Sequence, residues 1–349
     1  MPELMQNRTR LTLGLFVFAV GVYALFAQAE RRESDPIHIY GQRYITLKGL
    51  RISNPTGTCI EIGNGASNIR IEDSEIGPCR GHGIRVSGSR QITIAGVQIH
   101  DTTENGVDIY DSHYVDVLHS TFARNRGGIY ALDSRSIEVR GNRFSNARGP
   151  SPRGQFVQFD KVNGPQNRIN CNYGKNTPGQ SNPEDAINLH DSNGEATDPI
   201  QVIGNRIEGG GPSNSGGGIL LGDSGGSYQV AKHNVLVDPG QYGVAVAGGH
   251  HMAVTDNHVY ARAQSFTNVG IYVWNQYSPR CYGITVQGNV VNWTNKHGQK
   301  NSYWNGGNCG TVGGWLQNQW NAPIGREIIH QFNVCTEQAE VNLPEPKSR

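Results

Sequence analysis

Residues 183–194 read PEDAINLHDSNG, and four groups able to carry charge or move a proton, Glu184, Asp185, His190 and Asp191, fall within this short stretch. An imidazole beside a carboxylate can pass a proton, and clustered carboxylates can act as acid and base or hold a hard cation. A second, smaller concentration lies upstream at Asp160 and Lys161. Elsewhere the chain is sparse in charge: Asp, Glu, Lys and Arg make up 17% of its 349 residues, and the formal net charge is +1. That balance argues against nucleic acid as the main partner.

The elements that must position these groups follow from a repeat. AINLHDS (186–192) is one copy of a pattern also seen as GIRVSGS (83–89), GVDIYDS (106–112), GIYALDS (128–134), QFVQFDK (155–161), GILLGDS (218–224), GVAVAGG (243–249) and GIYVWNQ (270–276). The copies are spaced about 22 to 32 residues apart, a period that signals a solenoid. Each also carries an earlier alternating strand, such as NIRIEDSEI (68–76) or QITIAGVQI (91–99). Alternation sends one apolar row inward, and like strands stacked in parallel join those rows into a continuous core. High glycine, 46 residues, fits an all-β chain with many turns.

The inward row fixes which residues point out. One outward column is read as Arg85, Asp108, Tyr130, Val157, Asn188, Leu220, Ala245 and Tyr272, and the next as Ser87, Tyr110, Leu132, Phe159, His190, Gly222, Ala247 and Trp274. A third, at the strand ends, holds Asp111, Asp133, Asp160, Asp191 and Asp223. Asp111, Asp133 and Asp223 read as turn residues that bond the backbone two positions on. Asp160 and Asp191 stand beside other reactive groups, and the long intervals at 147–153, 172–183 and 209–217 place side loops around them. Asn142, Asn205, Asn257 and Asn289 each follow an inward valine by three residues and predict an internal amide ladder. Adjacent His250 and His251 are expected on opposite faces of a strand, and the histidines show no zinc pattern.

These strands resemble the right-handed parallel β-helix of the pectate-lyase-like superfamily over about residues 37–300, which implies nine to ten coils and a long glycan in a groove along the rungs. Residues 301–349 break the period and are expected to cap the last coil, with Trp293, Trp304, Trp315 and Trp320 packing there and Trp274 offering an exposed sugar platform. The tripeptide GHG at 81–83 also occurs in polygalacturonases, but their NTD and DD motifs are missing here, so His82 reads as a turn residue.

The resemblance implies an enzyme on an acidic polysaccharide that removes the C5 proton of a uronic acid, as a lyase or epimerase. His190 or Lys161 would be the base, with Asp160 and Asp191 completing the catalytic group. Tyr110, Phe159, Asn188, Arg153 and Trp274 would touch substrate, and Glu184 with Asp185 would hold calcium to neutralise the sugar carboxylate. A glycoside hydrolase using two of the carboxylates is the second enzyme reading. A non-catalytic glycan-binding or assembly protein is the third.

Arg8 and Arg10 precede an apolar run over 11–26 that ends in Ala27-Gln28-Ala29, the pattern of a signal peptide spanning 1–29. Export to the periplasm or the medium makes the six cysteines disulfide candidates, Cys59 with Cys79 and Cys281 with Cys309, and the expected product is a monomer clear of the membrane.

Overall fold

The computed structural model describes residues 31–335 apart from 279 and 333. The expected signal peptide lies outside the described residues. Among those described, no helix is long and apolar enough to cross a membrane.

Short alternating segments become strands because only one of their two faces can be buried. In Ser67–Glu72, Ile69 and Ile71 are fully buried while Arg70 and Glu72 look outward. Strands pair in parallel with the strand three further along, except at the C-terminal end, where Val290–Trp293 pairs with Gln319–Trp320 two strands on, giving sheets of twelve, eleven and ten strands in a right-handed solenoid. The core runs through the coils as columns of like side chains. One passes from Ile60 through Ile84, Val107, Ile129, Val157, Ile187, Ile219 and Val244 to Ile271, every member at most 2% exposed.

The amide ladder forms and is longer than expected. Asn142, Asn172, Asn205, Asn234, Asn257, Asn289 and Asn318 each donate from or accept at the next rung with Nδ2–Oδ1 distances of 2.8 to 3.1 Å. Each Oδ1 from Asn172 to Asn318 also accepts the backbone N–H of the asparagine below it. A buried turn thus has its polar groups satisfied from coil to coil.

One rung departs from the register read in the sequence. Gln158, not Val157, pairs with Tyr130 and Asn188, and Asp160, not Phe159, pairs with Leu132 and His190. Phe156 now precedes the first inward residue of the strand, as Gly128 and Ala186 do in the neighbouring coils, and is stacked 5.4 Å from Phe144. Sliding the strand by one residue turns every side chain over, so Phe159 is fully buried and cannot touch a substrate. The turn column is then Asp111, Asp133, Lys161 and Asp191, all with φ between 42° and 53°. Left-handed turn geometry suits aspartate. His251 also has positive φ, 55°, which brings its Nδ1 to 2.8 Å from that of His250 rather than to the opposite face.

Strand pairing continues past residue 300 through Tyr303–Asn305 and Gln319–Trp320. Trp293 is fully buried and Trp315 and Trp320 pack against the end of the core, as expected of capping residues. Trp304 does not cap; it is 44% exposed. Cys59–Cys79 and Cys281–Cys309 are joined, and a third disulfide, Cys171–Cys335, ties the chain beyond the short helix Ile328–Gln331 back to a middle coil. That helix buries Ile328 and Ile329 against Val235 and Val237.

Substituting Asn205→Ala strips acceptors from the Asn172 amide and backbone N–H and donors from Ile169 O and Asn234. Leaving such groups unmet inside the core is expected to cost about 2–4 kcal/mol. The denaturant midpoint should fall accordingly, and a midpoint within error of the parent would show that the ladder carries no stability.

Candidate functional site

Stacking the middle coils of the eleven-stranded sheet builds a cavity of about 410 Å³ on its outward face. The strands Val157–Asp160, Ile187–His190 and Ile219–Asp223 supply its floor. Loop 147–153 contributes Ser151, Pro152 and Arg153, and loop 209–217 contributes Ser215. The insertion at 172–183, expected to wall the groove, provides no lining residue.

On the floor, register places Asp160 beside His190, and His190 Nδ1 lies 2.8 Å from Asp160 Oδ1. The Tyr130 hydroxyl donates to the other oxygen of Asp160 at 2.7 Å. The bond to Asp160 raises the His190 pKa against the opposing effect of burial. For Asp160, burial pushes upward but the bonds from His190 and Tyr130 outweigh it and hold the carboxyl below its ordinary range. Arg153 sits 4.2 Å above the Tyr130 ring and donates to Gln158 Oε1 at 3.2 Å.

Asn188 organises the other half. Its side-chain nitrogen donates to Asp185 Oδ2 at 2.9 Å and to Asp223 Oδ2 at 2.8 Å. With one amide hydrogen directed to each carboxylate, those oxygens stand about 5 Å apart. Asp185 is buried, and burial pushes its carboxyl up to about 6 despite hydrogen bonds from Tyr242, Asn188 and the Gly217 N–H. Asp223 accepts a further bond from Tyr277, whose own pKa is pushed up to about 12 by burial and by that bond.

Asp223, expected at the turn, instead ends the strand Ile219–Asp223 and lines the cavity. Pairing runs Asn188 to Leu220 but His190 to Asp223, so one extra residue bulges between them. The bulge is Gly222, at φ +67°, where a Cβ would lie 2.2 Å from the Gly248 carbonyl oxygen. Glycine permits this path. The Gly-Asp pair at 222–223, in place of an apolar or aromatic residue, was the available clue.

Of the residues singled out in the sequence, Asp160, His190, Asn188, Arg153, Glu184 and Asp185 are brought together here. Lys161 and Asp191 are at the left-handed turn and do not line the cavity. Tyr110 lies two coils toward the N-terminus of Asp160 in the same column, 42% exposed, and Trp274 lies toward the C-terminus, 41% exposed. Tyr130, Gln158, Asp223, Tyr242, Tyr272, Gln276 and Tyr277 join the site without any sequence signal that marks them as site residues, apart from the Gly-Asp pair at 222–223. The oxygens of Glu184 accept from Ser213 and Ser215, and those of Asp185 accept the donors named above. These oxygens anchor neighbouring chain, an arrangement that does not by itself form a calcium cage. Among the described residues, no group of three or more His, Cys, Asp or Glu is disposed to hold a metal ion.

The family described as a right handed beta helix region matches residues 35–183. No curated protein matches the chain. Among solved structures, the alginate lyase AlyF-OU02 is 12% identical with a TM-score of 0.53, covering 78% of this chain and 62% of its own. PfbA, a surface adhesin of Streptococcus pneumoniae, is 14% identical with a TM-score of 0.48, covering 77% and 74%. The catalytic domain of a GH87 alpha-1,3-glucanase is 13% identical with a TM-score of 0.45, covering 82% and 64%. This chain therefore spans less than two thirds of the alginate lyase. The three sheets, with the match at 35–183, make this a right-handed parallel β-helix protein.

The His190–Asp160 pair has a definite pH signature. Its contribution through His190 is fully present below the unfolded value of about 6.5 and is lost as pH rises through the higher folded midpoint. The part carried by Asp160 is lost instead as pH falls through its depressed midpoint. An NMR titration of the His190 ring should show a midpoint above that of free histidine. In Asp160→Asn, burial acts without its counterion and the midpoint should drop; an unchanged midpoint would mean the pair does not form.

Proposed function

We propose that the protein is an exported glycoside hydrolase, with Asp185 as general acid and Asp223 as nucleophile. The carrying observation is the Asn188 amide that bridges the two carboxyls, one of them held near 6 by burial. A spacing of about 5 Å is that of retaining enzymes, in which the two groups flank one glycosidic bond. Asp185 would give its proton to the leaving oxygen while Asp223 attacks the anomeric carbon. Water would then cleave the glycosyl ester, returning a proton to Asp185. Tyr277 holds Asp223 in place through its hydroxyl. The disulfides and the segment 1–29 support export to the periplasm or medium.

The charge of the cavity favours hydrolysis over elimination. Its lining contains Asp160, Glu184, Asp185 and Asp223 against two cationic groups, Arg153 and His190. Positive charge develops at the anomeric centre during hydrolysis, whereas C5 proton removal from a uronate builds negative charge that needs cations. Arg153 and His190 are what support the second reading, a lyase or epimerase on an acidic glycan, along with the fold shared with an alginate lyase.

Incubation with neutral glycans and with alginate, pectate and glucuronan, each with calcium or a chelator, separates the two. Hydrolysis releases reducing ends of retained anomeric configuration without absorbance near ~232 nm; elimination raises that absorbance. Asp185→Asn and Asp223→Asn are each expected to lower kcat by about 10³-fold or more. Activity should decline above pH 6 as Asp185 loses its proton. Rising absorbance that survives both substitutions but not His190→Ala, and depends on calcium, would reverse the assignment.

A further inference from the structure

The cavity continues into an aromatic path that the catalytic reading does not use. Tyr242, bonded to Asp185, meets Tyr272 edge-on at 5.3 Å between ring centroids. Tyr272 lies 6.3 Å from Trp304, and Trp304 lies 5.4 Å from Trp274. Exposure rises along the path, from 1% at Tyr242 and 9% at Tyr272 to 44% at Trp304 and 41% at Trp274. Two indoles half open to water on a sheet face are costly to leave bare and suited to stacking on sugar rings.

The pair is also held rigid. Trp304 lies on Tyr303–Asn305, which pairs with the strand Val269–Val273 just before Trp274. Asn275 N–H donates to Asn308 Oδ1 and Asn308 Nδ2 donates to Asn275 O, both at 2.9 Å. The Cys281–Cys309 disulfide closes the same region. Gly306 makes room for the indole, since a Cβ there would lie 2.9 Å from Trp274 Cδ1. Preorganisation of this kind lowers the entropy lost when a ligand docks.

On these grounds we infer that Trp274 and Trp304 form distal subsites for a glycan chain running from the carboxylates toward the C-terminal end of the solenoid. This rests on the glycan-cleaving reading of the cavity. Trp274 follows Val273, whose rung is two above Leu221, the neighbour of Asp223. At about 4.8 Å per rung that is about 10 Å from the carboxylates, roughly two hexose units, and Trp304 is one rung further. On the opposite side Arg153 covers the face of Tyr130, so that ring is not open for stacking on a sugar. The substrate class is accordingly a polymer or an oligomer of about four or more units, engaged mainly on one side of the cleaved bond.

Affinity electrophoresis of the full chain in gels containing laminarin, dextran, xylan, mannan or polygalacturonate tests this, using Asp185→Asn to prevent turnover. Retardation by at least one polymer is expected, reduced about tenfold or more in association constant by Trp274→Ala or Trp304→Ala and partly restored by phenylalanine. Circular dichroism checks that each variant is folded. Kinetics on oligomers of the retarding polymer should show a loss in kcat/KM that grows with chain length. Retardation unaffected by both alanine variants, or absent for all five polymers, overturns the platform. Trp-dependent retardation with no product from the parent protein would keep the platform and reject hydrolysis.

Discussion

Coil-to-coil hydrogen bonding in parallel register is the constraint from which the rest follows. It sets each residue directly above its counterpart one coil away, so that a short sequence period becomes a set of vertical columns. The isoleucine and valine columns make the core. The asparagine column makes a polar ladder that would be prohibitive to bury if any rung were left unmatched. The outward columns bring residues about 30 positions apart in sequence, such as Asp160 and His190, into hydrogen-bond contact.

The site arises where this regularity is broken twice. A shift by one residue in the coil of Phe156 sends Phe159 into the core and lifts Asp160 to the level of His190. The glycine bulge at Gly222 then brings Asp223 out of the turn column and onto the same floor. Without the first change Asp160 would lie in the turn, and without the second Asn188 would have a single carboxylate partner. Both irregularities lie in coils flanked by the inserted loops 147–153 and 209–217, which contribute to the walls.

Electrostatics divides the floor into unlike halves. Asp160 is ionised against His190, whereas Asp185 is driven toward its neutral form by burial that its hydrogen bonds do not overcome. A carboxyl held near 6 by burial meets the condition for a general acid at one bond. The tyrosines extend this arrangement, since Tyr130, Tyr242 and Tyr277 each direct a hydroxyl at a carboxylate.

The repeat, the alternation and the asparagine spacing determined the β-helix, its parallel sheets and two disulfides, because these depend on local periodicity that stacking simply copies from coil to coil. Residues 184–190 were legible as a candidate site for the same reason: unusual groups stood out against a regular background. Only the tertiary structure decided the partners. Whether Asp160 meets His190 or lies in the turn depends on a one-residue register, and an alternating pattern such as QFVQFD reads almost equally well in either. Asp223, Tyr242 and Tyr277 join the site from other coils through a bulge and side-chain reach, and Cys335 finds Cys171 across 164 residues. None of these leaves a periodic trace, since each is set by where the coils end up stacked and not by the pattern within any one of them.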